Sequence, residues 1–410
     1  MSELKYWLWL SSLAGVRART KRLLLELLGG VRDIYFAPRG SFASISGLTE
    51  QECAALENKS FDRAYRIMRS CDELGVDIKT IQDADYPRRL AAIYDPPAVL
   101  YVRGRLPVVD EKAAIAVVGT RRASPYGLKM AARMGYEITR CGGLVISGLT
   151  AGVDVTAAQG ALMAGGSCIG VLGSPIDDTG WGGAVARDVA EVGAVISEYP
   201  PGAARSPAGF RARNRITAGL SVAAVVVEAP RRSGALLFAD EAASQGKEVF
   251  AVPANADCEN AAGGLALIMD GAVLVTCGWD VLCGFAGRFS GLHDPGAAGT
   301  MPESYAGAPA AAAQAEPPSP EPEKPPAGQK DVDKPQGVEY IDLRKQLEGL
   351  TEAQLAIVAA LERPSTHIDD VIERTGLPAQ EVLSELTMLQ ISGLVRQEPG
   401  KRFTLNISQK

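Results

Sequence analysis

The chain has 410 residues, 47% of them hydrophobic and 22% charged, with a mean hydropathy of +0.04 and a formal net charge of −6. That is length for two or three domains with ample core, and it describes a soluble globular protein; no apolar run is long enough to span a bilayer. The seven cysteines are odd in number and scattered without a C-x-x-C pair, which points away from a disulfide framework or a zinc site and fits a reducing cytoplasm.

The acidic total argues against a nucleic-acid binder only until it is divided along the chain. Residues 291–337 hold seven acids against three bases, and residues 338–410 eleven against eight, which leaves 31 bases against 30 acids in the first 290. Within those, Arg205 to Arg232 contains six arginines opposed only by Glu228, a local basic patch in a neutral domain.

In chain order, Trp7-Leu8-Trp9-Leu10 looks like a signal core, but Arg17, Arg19, Lys21 and Arg22 follow where a small-residue cleavage site belongs, so no export signal is expected. Residues 1–80 read as a helical domain with Gly-containing turns. Leu13-Ala14-Gly15-Val16 resembles a helix-hairpin-helix turn, whose backbone N–H groups meet DNA phosphates, and a helical bundle used only for packing is the alternative. From residue 81 to 290, strands near 114–118, 144–147, 168–172, 194–197, 223–228, 248–252 and 272–275 alternate with helices, the pattern of a doubly wound parallel sheet. Residues 291–337, with ten prolines, ten alanines and few large apolar residues, read as a disordered linker. Residues 338–410 predict three helices (351–362, 367–375, 378–393) and a hairpin across Pro399-Gly400, which together make a winged helix.

The informative chemistry sits where strands end. Ala114–Val118 runs into Gly119-Thr120-Arg121-Arg122, and Ser124 then opens a helix, so backbone N–H groups and two permanent cations gather on the ligand-binding edge of the sheet. A solvated arginine pair is the plainer alternative. Ser147-Gly148-Leu149-Thr150-Ala151-Gly152 is a second small-residue turn, after which Asp154 is best read as a helix cap. Ser233-Gly234 forms a third loop at a helix start. Phe210-Arg211-Ala212-Arg213-Asn214-Arg215 joins an aromatic face to arginines, which suits single-strand binding: the ring stacks on a base while the guanidinium groups hold phosphates. A Phe packed beside surface arginines is equally compatible. Neither histidine lies near this edge, no metal cluster is visible, and Asp154, Glu198 and Glu228 are better explained by structural pairing than by catalysis.

Taken together these motifs resemble the DNA-processing protein A (DprA/Smf) family over nearly the whole chain. The marks are Tyr86-Pro87 with Asp95-Pro96-Pro97, Val118-Gly119-Thr120-Arg121, Ser147-Gly148-Leu149 with Gly152-Val153-Asp154, and Ile196-Ser197-Glu198. Phe210 with Arg213-Asn214-Arg215-Ile216, Val227-Glu228-Ala229 with Ser233-Gly234-Ala235-Leu236, and Val249–Pro253 follow in order. The resemblance implies an α/β protein: an extended Rossmann-like domain behind an N-terminal all-α domain of sterile-alpha-motif (SAM) type, with a C-terminal winged helix of DML1 type. It implies a cytoplasmic, non-enzymatic homodimer that needs no cofactor, binds single-stranded DNA and loads RecA during natural transformation. By the same resemblance Gly119, Thr120 and Arg121 would face the DNA backbone, Phe210 a base, Arg213 and Asn214 would shape the pocket, and Ser233 and Gly234 would complete the anion-binding edge. Arg122, Ser147, Gly148, Gly152 and Arg211 join them as expected DNA-binding residues from their own loops. The chain departs from the family pattern at Ala158, Phe238, Thr179-Gly180-Trp181, Ala254 and Pro207, changes expected to remove polar or cationic groups near the site.

Two other functions follow from the same residues. A nucleotide-processing enzyme similar to the phosphoribohydrolases would use such a loop edge, although their Pro-Gly-Gly-x-Gly-Thr-x-x-Glu motif has no counterpart beyond Gly263-Gly264. A duplex-binding regulator would read DNA with the helix 378–393, but this carries Glu381 and Glu385 and no Lys or Arg, a face better suited to a protein.

Overall fold

The computed structural model describes residues 3–206, 209–302, 351–361, 366–391, 395–398 and 402–405, in two compact units, 1–319 and 320–410. The first opens with helices α1 (Leu4–Ser12), α2 (Ala18–Leu28), α3 (Val31–Phe36), α4 (Glu50–Glu57) and α5 (Asp62–Leu74). A helix apolar on every side belongs in a core, and Tyr6 to Leu10 of α1 are all buried, with Trp9 Nε1 donating to Asn58 O at 2.7 Å. Thr49 caps α4 in a reciprocal capping box with Glu52, and the buried Glu52 carboxylate also accepts from the Arg17 backbone and guanidinium and from Thr20 Oγ1. That carboxylate fastens the turn between α1 and α2 to α4.

Strand β1 (Asp77–Thr80), helix α6 (Arg88–Ala91) and strand β2 (Val99–Gly104) come next, so the sheet begins before residue 81. Alternation then follows the sequence expectation: β3 (Ala114–Val118), α7 (Pro125–Arg140), β4 (Leu144–Ser147), α8 (Val153–Met163), β5 (Cys168–Leu172), α9 (Gly183–Val192) and β6 (Ala194–Ser197). The second half runs α10 (Gly209–Leu220), β7 (Ala223–Val226), α11 (Gly234–Ser244), β8 (Glu248–Ala251), α12 (Ala262–Met269), β9 (Val273–Leu274) and α13 (Gly278–Leu282).

The nine strands lie in the order β1-β2-β6-β5-β4-β3-β7-β8-β9. All pairs from β6 to β9 are parallel, whereas β2 pairs antiparallel with β6 (Val102 opposite Ile196) and β1 with β2, so the expected parallel sheet is mixed at one edge. Strands β3 to β7 are wholly buried, as a sheet covered on both faces requires. One cluster joins Trp9, Leu24 and Phe42 of the helical region to Val99, Tyr101, Ile115 and Val117, so the helices and this face of the sheet share a core. Beyond residue 290, Leu292 packs against that core and His293 N–H donates to Cys141 O at 3.2 Å; residues 303–337 of the expected linker lie outside the described residues.

The second unit holds α14 (Glu352–Ala360), β10 (Thr366–His367), α15 (Ile368–Thr375), α16 (Ala379–Ile391), β11 (Val395–Glu398) and β12 (Arg402–Leu405), with strand order β10-β12-β11. Three helices and a wing gather around Ile357, Val371, Val382, Leu386 and Phe403, which is the winged-helix architecture expected from the sequence. Among the described residues no helix is long and apolar enough to cross a membrane.

Candidate nucleic-acid interface

Strands β4 to β6 lie on one side of β3 and β7 to β9 on the other, and Glu228 after β7 is hydrogen-bonded to Ser124 after β3, which ties those two loops together. The loops after β3, β4 and β5 and the start of α10 enclose a cavity of about 380 Å³ at the carboxyl ends of the strands, walled by Arg121, Gly148, Thr150, Gly173, Phe210 and Arg213 among others.

Two glycines set the backbone of this cavity. Gly152 has φ +77° and ψ −127°, and a Cβ there would lie 2.4 Å from Thr120 O and 2.6 Å from Arg121 O, so the second loop can hold the first only through a glycine. A Cβ on Gly148 would lie 2.6 Å from Asp154 Oδ2 and 2.7 Å from Arg213 Nη1, so the two groups occupy the space that a side chain there would need. Between them Leu149 has φ +50°, alone among the described non-glycine residues, held by Ser147 Oγ, which accepts from Leu149 N–H at 3.1 Å and donates to Asp154 O at 2.8 Å. Backbone strain of this kind gathers at ligand sites.

The cavity wall combines an aromatic ring with two guanidinium groups. Phe210 is 45% exposed, with the Arg121 guanidinium 4.9 Å and the Arg213 guanidinium 5.5 Å from its ring centroid. Arg213 Nη2 donates to Asn214 Oδ1 at 3.1 Å, but its buried Nη1 has no hydrogen-bond partner. Buried donors are rarely left so. Burial lowers the Arg213 pKa, Asp154 raises it and Arg121 lowers it again, so the two cations repel across the ring. Asp154 is buried, accepts from Thr150 Oγ1 at 2.7 Å, and is pushed up by burial against the pull of Arg213.

Of the residues expected from the sequence, Arg121, Gly148, Phe210 and Arg213 line this cavity. Gly119, Thr120, Ser147, Gly152 and Asn214 lie behind it as support; Thr120, for example, donates its N–H to Glu228 O at 2.7 Å and accepts from Val153 N–H at 3.2 Å. The Arg122 side chain is exposed outside the lining, while its carbonyl accepts from Asn260 Nδ2. Arg211 faces another cleft, beside Arg215, which is bound to Glu198 at 2.6 Å and Asp95 at 3.3 Å. Ser233 and Gly234 do not line the cavity; Ser233 Oγ instead caps α11 through Ala235 N–H.

Three readings change with the structure. The α7 N-terminus, which suits an outside anion, is filled by the protein's own Glu228, which accepts from Ser124 N–H at 2.8 Å and Ser124 Oγ at 2.5 Å. Asp154 lies in the first turn of α8 without capping it, because Gly152 occupies the cap position. Ala158 and Phe238 are buried in apolar clusters and do not line this cavity, so their departures are matters of packing; Pro207 lies outside the described residues. The sequence reading did not single out Gly173-Ser174, which carries the same signal of small residues after a strand; Thr179-Gly180, read as a departure beside the site, and Arg205, read as part of the basic patch, also line the cavity.

The sequence profile described as DNA recombination-mediator protein A matches residues 77–285, half of the chain, and the DprA winged-helix profile matches residues 343–401. The chain belongs to the DprA/Smf family. Among DprA/Smf relatives, Protein Smf of Synechocystis is 28% identical over 98% of both chains, and the DNA processing protein DprA of Bacillus subtilis is 33% identical over 56% of this chain and 79% of its own. The X-ray structure of DprA from Streptococcus pneumoniae superposes with a TM-score of 0.60 at 31% identity, covering 69% of this chain and 98% of that one. The DprA fold thus spans the mixed sheet, with the winged helix as a second unit.

Proposed function

We propose that the chain is a single-stranded-DNA-binding recombination mediator that works without catalysis. In this reading it protects incoming DNA during natural transformation and loads RecA onto it, as a cytoplasmic homodimer. The observation that carries the reading is an exposed Phe210 flanked by two guanidinium groups, with the buried Nη1 of Arg213 unpaired in the cavity. A base stacks on the ring, a phosphate takes the donor and relieves the repulsion between Arg121 and Arg213, and none of this depends on base identity. Membership of a recombination-mediator family supports the downstream role. The three carboxylates near the loops are engaged with Thr150, Arg215 and Ser124, which favours binding over hydrolysis. We further assign residues 1–76 to a helical region, 77–302 to the DNA-binding sheet with its helices, 303–337 to a linker and 338–410 to a winged helix that meets a protein partner; α16 carries no Lys or Arg and its Glu385 is bonded to Gln354.

Fluorescence anisotropy of labelled oligo-dT and of a matched duplex, titrated at low and at physiological salt, tests this. Single strands should bind more tightly, and Arg121→Ala should reduce the slope of log K against log salt by about 0.7, one phosphate contact, alike for all sequences. Unchanged affinity and slope in that variant would remove the loop after β3 from the site.

A further inference from the structure

Three clefts on the first unit share walls. The loop 200–206 between β6 and α10 gives Arg205 and Ser206 to the Phe210 cavity, while its first half, Pro200 to Ala203, walls a second cleft of about 410 Å³. The far wall of that second cleft is α5, through Arg63, Arg66 and Ser70. Arg63 and Arg66 also wall a third cleft of about 480 Å³, whose other side holds Ser12, Leu13 and Ala14 of the turn between α1 and α2, the segment that resembles a helix-hairpin-helix turn.

Two cations along this route carry no ion pair. Arg63, Arg66 and Arg69 stand on one exposed stripe of α5, while Ala64, Ile67 and Cys71 bury its opposite face. Arg63 and Arg66 form no ion pair among the described residues, and Arg66 Nε donates only to the Asp62 carbonyl at 3.4 Å. Of the carboxylates nearby, Asp178 is paired with Arg205, while Asp62 and Asp177 accept from the neutral Ser60 Oγ and Gly202 N–H and keep their charge.

We propose that the N-terminal helices continue the DNA path: a single strand leaving the Phe210 cavity crosses the 200–206 loop and lays its phosphates along Arg63 and Arg66 toward the turn between α1 and α2. The proposal rests on the single-strand reading of the cavity and adds a length dependence to it. Phosphate contacts on α5 are reached only by oligonucleotides longer than the cavity holds.

The test is anisotropy with the full chain and oligo-dT from about 4 to about 16 nucleotides, the span of site sizes of single-strand-binding OB folds. Arg63→Ala/Arg66→Ala should leave the shortest bound oligonucleotides unaffected. On long ones it should reduce the salt slope by about 1.4, so that from 50 to 200 mM salt the wild type loses roughly sevenfold more affinity than the variant. Phe210→Ala, in contrast, should weaken every length. If wild type and double variant bind long strands alike, the track on α5 is wrong and the cavity reading stands; if the wild type binds no single strand, both fall. Both arginines are exposed on a helix anchored by its other face, and the charge reversal Arg63→Glu/Arg66→Glu should enlarge the long-strand defect while circular dichroism stays unchanged.

Discussion

Replacing Gly152 with Ala tests whether the bare backbone there builds the cavity. The native φ of +77° with ψ −127° lies in a region that side-chain-bearing residues avoid, at a cost of about 1–3 kcal/mol. The new Cβ would also lie 2.4 Å from Thr120 O and 2.6 Å from Arg121 O, so the β3 loop must retreat, and forcing atoms into packed space costs about 1–3 kcal/mol more. The sum, about 2–6 kcal/mol, is a large share of a typical stability of about 5–15 kcal/mol. Urea unfolding should show a lower midpoint at an unchanged m-value, and single-strand affinity should fall because Arg121 moves with the loop. Gly165→Ala is the control: its φ is +76°, but no atom lies within 4 Å of the new Cβ, so it bears the conformational cost alone and leaves binding intact. Equal losses in the two variants, or Gly152→Ala binding like wild type, would show that the close approach at Gly152 does not shape the cavity.

Other outcomes follow from the same contacts. Glu52→Gln should lower stability by about 2–3 kcal/mol near neutral pH, because the buried carboxylate accepts from Arg17, Thr20 and Thr49. The Arg17 guanidinium holds the Glu52 pKa well below the usual carboxylate range, so its contribution is full above about pH 5 and lost as pH falls toward the folded value; denaturation midpoints across acid pH should show that loss in wild type and not in the variant. Burial pushes Lys21 down to about 8, so the unfolded chain binds more protons between there and about 10.4, and stability should rise with pH across that window. Lys21→Met should flatten this part of the profile in thermal melts. Ser124→Ala should destabilise by about 1–2 kcal/mol through loss of the α7 cap and of the hydroxyl bonded to Glu228, read as a fall in Tm.

The strands were legible because a sheet buried on both faces writes itself as short uncharged runs, and each of β3 to β7 falls where such a run stands, while β8 opens on an exposed Glu248 and continues as Val-Phe-Ala. Strand order was not, since pairing is a contact between distant segments; β1, reading Asp-Ile-Lys-Thr, has no local pattern that would betray an edge strand. Within the site, Arg121, Phe210 and Arg213 were legible from residue type and position on the βα edge. Ser124 misled because its partner is Glu228, 104 residues away, and only the fold brings that carboxylate to the helix N-terminus. The same holds for Arg215, which reads as one of three DNA-facing arginines yet is bound to Glu198 and Asp95. Local chemistry identified the groups; tertiary pairing decided which remained free to meet a ligand.

Entry of single-stranded DNA into the cavity at Phe210 can be read by photocrosslinking with an oligonucleotide carrying 5-iodouracil, followed by mass spectrometry of the crosslinked peptides, because the halogenated base reacts with the aromatic ring on which it stacks. Crosslinks should form at Phe210, disappear in Phe210→Leu and weaken as salt rises. Crosslinks confined to the winged helix, or undiminished in that variant, would show that the strand binds elsewhere.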